Sequence, residues 1–184
     1  MTLCNINLMR LSFLEDEERL KSADHRLLKT VMENFYGFRS PGIPTGGFQF
    51  ASLDLNQLRG LNATIFIEEG AHKIHEMLIA CTWKETECNE TIFKARWTNF
   101  GYCYTFNEPN SGEPDDVTKP GRHEQLSLAL NVQQNEYSGG GMNGAVGFVV
   151  MLHEQDDVPL VYDLGFLASP GFLTQVAIKK KVVR

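Results

Sequence analysis

The spacing of hydrophobic positions divides the chain into three parts. Residues 1–12 are predicted to form a strand in which Leu3, Ile6 and Leu8 are the apolar positions. From there to about residue 100, apolar side chains recur every three or four residues, which is typical of amphipathic helices. After Gly101 the period changes to two, which indicates strands. We therefore predict a strand, a helical block, and then mainly strands.

Four helices are predicted in the helical block. The first spans about residues 15–35, where the apolar positions at helical spacing are Leu20, Leu27, Leu28, Val31 and Phe35. A loop over 37–44 ends it, because Gly37, Pro41, Gly42 and Pro44 interrupt a helix. A second helix covers about 54–61, and a third covers about 70–81. On the third helix Ile74, Met77, Leu78 and Cys81 would share one face. A short fourth helix begins near Asn89, a good N-cap, and carries Phe93 and Trp97.

The strand-rich part begins with a strand over 102–106. A polar loop follows over 109–120, and then a strand with one buried face, in which Leu126, Leu128, Leu130 and Val132 alternate with smaller or polar residues. Residues 138–141 form a turn that leads to a strand over 145–153. A last pair of strands, broken by Pro170 and Gly171, is predicted over 166–183.

Composition narrows the class of protein. The chain has 184 residues, 42% of them hydrophobic and 22% charged, which suits one globular domain. The net charge of −6 disfavours nucleic acid as a partner. The only basic run, Lys179 to Lys181, is interpreted as a solvated tail.

Signals for cellular location point in two directions. The longest apolar run, 145–152, is far shorter than the roughly 20 residues of a membrane helix. Residues 1–14 lack the apolar core of a signal peptide. Yet four cysteines and two glycosylation sequons, at Asn62 and Asn89, are typical of an extracellular domain. We therefore expect an ectodomain fragment whose signal-anchor helix precedes Met1.

Catalytic and cofactor motifs are weak in this sequence. The glycine run 139–141 is not followed by Lys-Ser or Lys-Thr, so it predicts a turn rather than a phosphate-binding loop. There is no Gly-x-Ser-x-Gly or His-Glu-x-x-His pattern. A zinc site would favour Cys-x-x-Cys pairs, and none is present. We predict that the protein is not an enzyme and has no cofactor or metal; a Cys/His nucleophile and buried free thiols remain as alternatives.

Three segments resemble motifs of one family, the degenerin, epithelial sodium channel and acid-sensing channel family. Thr2-Leu3-Cys4-Asn5-Ile6-Asn7 resembles its segment just outside the first membrane helix. Gly101-Tyr102-Cys103-Tyr104-Thr105-Phe106-Asn107 resembles its cysteine-containing strand. The stretch 164–172, Leu-Gly-Phe-Leu-Ala-Ser-Pro-Gly-Phe, resembles its palm-strand motif. The three occur in the order that the family has.

The resemblance implies an α+β fold, mainly an antiparallel β palm and β-ball with a helical finger insertion, disulfide-bonded and part of a larger ectodomain. Palm strands would lie in 1–13, 101–108 and 165–184, the finger in 14–100 and the β-ball in 109–164. Four cysteines allow three pairings. The family pattern implies Cys4 with Cys103 and Cys81 with Cys88, and the seven-residue spacing of the second pair suits a loop closed across a turn.

The implied function is that of the extracellular part of a ligand- or stimulus-gated, amiloride-sensitive sodium channel subunit at the plasma membrane. Partners would be homologous subunits in a homo- or heterotrimer, sodium ions, and a peptide or proton ligand. The 184 residues include neither of the family's membrane helices nor its Gly-x-Ser filter, so we expect no conduction from them alone. The alternative is a soluble secreted or truncated binding module that acts on full-length subunits or on a ligand.

Residues for proton or ligand sensing are few. Candidates by chemistry are His72 and His75, three apart on a predicted helix beside Glu76, and His153 near three acids. The acids near His153 are Glu154, Asp156 and Asp157. In acid-sensing members, important carboxylates align with Ser127 and with the loop 138–143, and both places lack acids here. The resemblance therefore does not support proton gating by that route.

Aromatic residues concentrate where the helical block meets the strands. They are Trp83, Phe93, Trp97, Phe100, Tyr102 and Tyr104. The first interpretation is a packed core, and the second is a ligand or toxin surface on the finger.

Overall fold

The computed structural model describes residues 1–36, 62–108, 122–138 and 145–178. The helices are α1 (Leu11–Leu14), α2 (Glu17–Leu20), α3 (Ala23–Tyr36), α4 (Ala63–Gly70), α5 (Ile74–Met77) and α6 (Val161–Leu164). The strands are β1 (Thr2–Asn5), β2 (Leu78–Trp83), β3 (Thr86–Glu87), β4 (Phe93–Thr98), β5 (Gly101–Phe106), β6 (Leu126–Leu130), β7 (Phe148–Met151) and β8 (Phe166–Ala168). Short 3-10 turns cover Glu90–Ile92, Arg122–Glu124 and Gln134–Glu136.

The larger sheet places the first strand at its centre. Its five strands have the order β4-β5-β1-β7-β8, and every pairing is antiparallel. β1 is buried along its whole length, so its side chains face protein on both sides of the sheet. Leu3 packs on one face and Cys4 on the other. This explains why an apolar segment at the start of the sequence forms a strand: neighbours on each edge complete its hydrogen bonds.

The smaller sheet has the order β3-β2-β6. One apolar core contains residues of both sheets, among them Leu3, Cys81 and Phe106, with Leu128 packed against it. A second core lies on the other face of the larger sheet and includes Cys4, Cys103 and Val161. A third joins the helices through Met9, Phe13, Leu14, Leu28 and Phe66. The chain is thus mixed α/β with antiparallel sheets and two disulfides.

Several predicted elements are confirmed. The helix expected over 15–35 appears as α2 and α3, with a short break at Lys21 and Ser22. The carboxylate of Asp16 begins α2 by accepting from the Glu18 and Arg19 N–H groups. Leu28 is buried as predicted, while the side chains of Leu20, Leu27, Val31 and Phe35 lie outside the described part. The strands near 102–106, 126–132 and 145–153 are β5, β6 and β7.

The third predicted helix, over 70–81, is wrong for most of its length. Gly70 ends α4, Ile74–Met77 forms the short helix α5, and the chain then extends as β2. Ile74, Met77 and Cys81 are buried as predicted, but on two different elements. The segment is extended because β2 pairs with the apolar strand β6, in which Leu128 lies opposite Cys81. A short apolar run fits either period, and tertiary contacts decide between them.

The fourth predicted helix is also wrong, although its N-cap is correct. The Asn89 side chain accepts from the Thr91 N–H at 3.0 Å, but the helical turn ends at Ile92. Phe93 and Trp97 lie on β4 opposite Phe106 and Tyr102. With Ala95 between them they alternate at period two, and β5 offers matching aromatic partners.

The ends of two other predicted elements differ from the structure. The strand expected over 1–12 ends at Asn5, where the Asn5 side chain accepts from the Asn7 N–H at 2.9 Å and turns the chain. Of the last strand pair, predicted over 166–183, the described residues form one strand, Phe166–Ala168, and residues 169–178 have no regular secondary structure. α4 was not predicted. Predictions over 37–44, 54–61, 109–120, 139–143 and 179–183 lie outside the described residues.

Among the described residues, no helix combines the length and the apolar character that crossing a membrane requires.

Gly70, the last residue of α4, packs closely against Met9 and Phe13, so a larger side chain at this position would be poorly tolerated. A Cβ at this position would lie 2.5 Å from Met9 Cε and 2.8 Å from Phe13 Cδ1. We expect Gly70→Ala to lower the free energy of unfolding by about 1 to 3 kcal/mol through overpacking. Urea unfolding would measure this. Ile65→Ala, at a half-exposed position of the same helix, should cost less, and equal costs would contradict the overpacking argument.

Candidate functional site

The Cys4–Cys103 disulfide joins the central strand of the larger sheet, β1, to its neighbour β5. The Cα atoms are 4.6 Å apart, and the two residues are separated by 99 positions in sequence. Both cysteines are at most 1% exposed. The bond therefore fixes the first strand between β5 and β7, against a core that also holds Ile6 and Val149.

The Cys81–Cys88 disulfide closes the β2–β3 hairpin. Its Cα atoms are 4.9 Å apart, and the Cys88 N–H donates to the Cys81 carbonyl at 3.0 Å. Lys84 and Glu85 make the turn in the left-handed region, with φ of 51° and 62°. The structure thus contains both pairings that the family resemblance implied.

A cluster of polar side chains lies where three segments meet: the end of β1, the α4–α5 loop, and the connection from β6 to β7. We call this cluster the polar joint. Its members are Asn5, Asn7, His72, Gln133, Tyr137 and Ser138. Asn5, Asn7, His72 and Ser138 are buried, at 2 to 6% exposed. Buried polar groups persist when they are hydrogen-bonded, and those of the joint bond to one another and to neighbouring backbone groups.

Asn7 is the central residue of the polar joint. Its Nδ2 lies 2.7 Å from the Met9 carbonyl, 2.8 Å from the Glu136 carbonyl and 2.9 Å from Nε2 of His72. Its Oδ1 accepts from the Ser138 hydroxyl at 3.1 Å and the Ser138 N–H at 3.4 Å. One amide thus contacts all three segments of the joint.

Asn5 and Tyr137 form the second half of the polar joint. The Tyr137 hydroxyl donates to Asn5 Oδ1 at 2.8 Å and accepts from the Gly147 N–H at 3.1 Å. The Asn5 amide donates to the Val132 carbonyl at 3.1 Å. The connection between the two sheets is therefore held to the N-terminal strand at both of its ends.

His72 is buried in the loop before α5. Its Nδ1 lies 2.6 Å from Oε1 of Gln133, and its carbonyl accepts from the Tyr104 hydroxyl at 2.9 Å. Burial lowers the pKa of His72 below its ordinary value of 6.5, against the hydrogen bond to Gln133, which raises it. The Arg10 charge also lowers this pKa, while Glu136 and Glu76 raise it. The net direction is down, so the imidazole is neutral at neutral pH.

The predicted pairing of His72 and His75 on one helical face is wrong. His72 precedes α5 and points into the joint, whereas the side chain of His75 is 63% exposed, with Nε2 3.9 Å from Oε1 of Glu76. The chain bends between them because Lys73 is extended at the start of the helix. The structure therefore places the two imidazoles on different segments and does not bring them together.

His153 lies at the end of β7, apart from the joint. Its Nε2 is 2.7 Å from the Thr2 hydroxyl, which in turn is 2.8 Å from the Thr105 hydroxyl. Burial lowers the pKa of His153. Glu154, Asp156 and Asp157 are exposed, and His153 contacts the Glu154 carbonyl rather than its carboxylate. The structure therefore does not bring the predicted acids together with the imidazole into a closed cluster.

The aromatic residues divide between core and surface. Phe93, Phe100 and Tyr104 are buried, while Trp97 is 40% exposed and packs edge-on against Tyr102 at 5.3 Å. Burial and a hydrogen bond to Glu68 raise the pKa of Tyr102 to about 12, so its hydroxyl stays a donor at neutral pH. Phe93, Phe100 and Tyr104 are therefore core residues, whereas Trp97 lies at the surface.

Other candidate sites are limited. Asn62 and Asn89 are both exposed, as a glycan acceptor must be, and each caps a helical turn. Within the described ranges, no three His, Cys, Asp or Glu side chains are grouped to hold a metal ion. A narrow cleft opens beside the polar joint, lined by Asn5, Asn7, Leu8, His72, Met77, Tyr102 and Tyr104.

The whole chain, residues 1–184, matches the model of the amiloride-sensitive sodium channel family. The chain belongs to this family. Among its relatives, acid-sensing ion channel 1C of Danio rerio is 30% identical over 100% of this chain and 36% of the relative. Acid-sensing ion channel 1 of Gallus gallus is 35% identical over 65% of this chain and 24% of the relative. Acid-sensing ion channel 2 of Homo sapiens is 28% identical over 98% of this chain and 37% of the relative.

The chain thus spans a quarter to just over a third of the length of these sodium channel family members. Sequence reasoning found the family and its cysteines but not the polar joint. Asn7, Gln133, Tyr137 and Ser138 were not candidates. The sequence signal that could have indicated the joint was the presence of Asn5 and Asn7 in a segment predicted to be an apolar strand. A buried amide requires hydrogen-bond partners from elsewhere in the chain.

Proposed function

We propose that this chain is the extracellular part of a subunit of a stimulus-gated, amiloride-sensitive sodium channel. The observation that carries the proposal is the family match, which extends over residues 1–184. Acid-sensing ion channels are the relatives named above. In the full-length protein the subunit would lie in the plasma membrane, associate with homologous subunits as a trimer, and pass sodium ions.

The proposed division into palm, finger and β-ball follows the boundaries 1–13, 101–108 and 165–184 for the palm, 14–100 for the finger and 109–164 for the β-ball. β1, β5 and β8 fall in the palm ranges and lie in the larger sheet. That sheet also takes in β4 and β7, so we extend the proposed palm to these two strands. The disulfide between β1 and β5 supports a stiff element suited to transmitting strain.

The proposed stimulus reaches the palm through the polar joint. The joint connects the β6–β7 segment, which leaves the smaller sheet, to the first strand of the larger one. A peptide or a proton are the candidate ligands. Ser127, at an aligned acidic position, is an exposed hydroxyl on β6 without a carboxylate, so a proton would need a different receptor group.

A chimera tests the proposal. Residues 1–184 would replace the matched segment of acid-sensing ion channel 1C of Danio rerio, with currents recorded by voltage clamp and surface arrival measured by biotinylation. We expect the chimera to reach the surface and to give an amiloride-sensitive sodium current. A chimera that reaches the surface, pairs with no subunit and changes no current would refute the proposal. Pairing that only suppresses current would favour the binding-module alternative.

Glycosylation tests the two proposed acceptor sites separately. When the chain is directed into the secretory pathway, we expect glycans at Asn62 and Asn89, seen as an electrophoretic shift that glycosidase removes. Asn62→Asp and Asn89→Asp should each remove one step of that shift, since aspartate keeps the capping oxygen but cannot carry the glycan. Full-size shifts in both variants would contradict the assignment of these two acceptors.

A further inference from the structure

The second glycosylation sequon begins directly after a disulfide cysteine. Residues 89–91 follow Cys88, which is bonded to Cys81 across the β2–β3 hairpin. The first sequon, at Asn62, is separated from the nearest cysteine in the sequence, Cys81, by α4 and α5. Both acceptor residues are exposed, so burial does not distinguish them. What distinguishes them is the position of Asn89 beside a disulfide.

In the folded protein the polar groups of this second sequon bond to each other. Oδ1 of Asn89 accepts from the Thr91 hydroxyl at 2.6 Å and from the Thr91 N–H at 3.0 Å. Recognition of a sequon requires its hydroxyl as well as its amide, because both belong to the acceptor pattern. A hydroxyl has one hydrogen to donate, and here it is donated within the turn. The folded turn therefore withholds groups that a glycan-transferring enzyme must bind.

The closed hairpin also crowds the acceptor. The Cys88 N–H donates to the Cys81 carbonyl, and the Cα atoms of the two cysteines are 4.9 Å apart, so β2 lies beside the residue that precedes Asn89. On the other side of the sequon, Phe93 is buried and pairs with Phe106 of β5. An enzyme cleft that binds one extended chain around the acceptor has no room for a second strand at this spacing. Closure of the disulfide therefore opposes binding of the sequon even before β4 and β5 pair.

We propose that the Cys81–Cys88 disulfide controls glycosylation of Asn89, in that the acceptor receives its glycan while the hairpin is open and closure ends the reaction. In the transfer, the Asn89 amide nitrogen attacks the anomeric carbon of an oligosaccharide carried on a lipid diphosphate. The bond from that carbon to the diphosphate oxygen breaks, the diphosphate leaves with the electron pair, and an amide proton passes to a base of the enzyme. In closure, the two thiols pass two electrons and two protons to the disulfide of a carrier protein, which becomes a dithiol. Both reactions belong to the secretory pathway, so the control rests on the extracellular location in the proposed function.

The two reactions compete while the chain is being made. Cys81 and Cys88 both precede the acceptor, so the hairpin is able to close as soon as Asn89 emerges. Synthesis proceeds at about 5 to 20 residues per second, and disulfide formation takes seconds or longer. Because these times are comparable, about half of the chains should receive the glycan at Asn89. The other disulfide cannot compete in this way, since Cys103 is made after the whole sequon.

Translation of the 184-residue chain into microsomes, behind a secretion signal, tests the control directly. With Asn62→Asp in place, the glycosylated fraction on a gel reports Asn89 alone. Adding Cys81→Ser, which leaves residues 88–91 unchanged, should raise that fraction about twofold, from about half to nearly all chains. Dithiothreitol present during translation should give the same rise in the chain that keeps Cys81 and none in Cys81→Ser. Because the glycan is added during synthesis, these results do not require that the variant reaches its final fold.

The other disulfide supplies the control for general misfolding. Serine at both Cys4 and Cys103 removes the longer crosslink but leaves the hairpin intact, so the Asn89 fraction should stay as in the parent. With Asn89→Asp in place, the Asn62 fraction should be the same with and without Cys81→Ser. An Asn89 fraction that Cys81→Ser leaves unchanged, or an equal rise in the variant without the longer crosslink, would overturn the proposal. Since Asn62 reports entry into the pathway and no ionic current is measured, failure of the disulfide control and failure of the proposed function are told apart.

Discussion

Replacing both Cys4 and Cys103 with serine should lower the free energy of unfolding by about 4 to 5 kcal/mol. In the chain-entropy model, a crosslink that closes a loop of about 100 residues is worth about this much, and this loop spans 99. Since a typical domain is stable by only about 5 to 15 kcal/mol, the variant would be close to unfolding. Urea titration under non-reducing conditions, with the same experiment on the parent chain, measures the difference.

The second disulfide supplies the matched control. Serine at Cys81 and Cys88 removes a bond that spans seven positions, for which the same model gives about 2.5 kcal/mol. The first pair should therefore cost clearly more than the second. Equal costs would show that chain entropy does not explain the stability, and that lost packing of the buried sulfurs dominates.

Replacing Asn7 with alanine should be the most damaging single polar change, at about 3 to 4 kcal/mol. Its amide serves five polar atoms: two carbonyls, the His72 imidazole, and the N–H and hydroxyl of Ser138. Each buried polar group left without a partner costs about 1 to 3 kcal/mol, with partial relief if the joint relaxes. Urea unfolding would measure the loss, and hydrogen exchange would locate it in 131–138.

Asn135→Ala is the comparison for this prediction. Asn135 lies in the same connection but is exposed, so the change should cost less than about 1 kcal/mol. A small effect at Asn7, similar to that at Asn135, would mean that water enters the joint and replaces the amide.

The helical block shows how far local sequence goes. Asn89 was predicted as the place where a helical turn begins, because capping depends on a side chain and its own nearby backbone. The lengths of the predicted helices, and the choice between helical and strand periodicity, were predicted less accurately. Phe93, Ala95 and Trp97 form a strand because they pair with Phe106, Tyr104 and Tyr102 of β5. This pairing exists only in the folded protein.

The sequence by itself determined the family, the strand at each cysteine of the Cys4–Cys103 pair, and the mixed α/β class. These depend on local motifs and on periodicity within single segments. Only the tertiary structure decided that 78–83 is a strand, that His72 and His75 separate, that Asn7 and Gln133 contact His72, and that Ser138 bonds to Asn7. The physical reason is the same in each case: the partners lie 61 or more positions apart for His72 and 131 apart for Asn7 and Ser138, and only the closed fold brings them within hydrogen-bond distance.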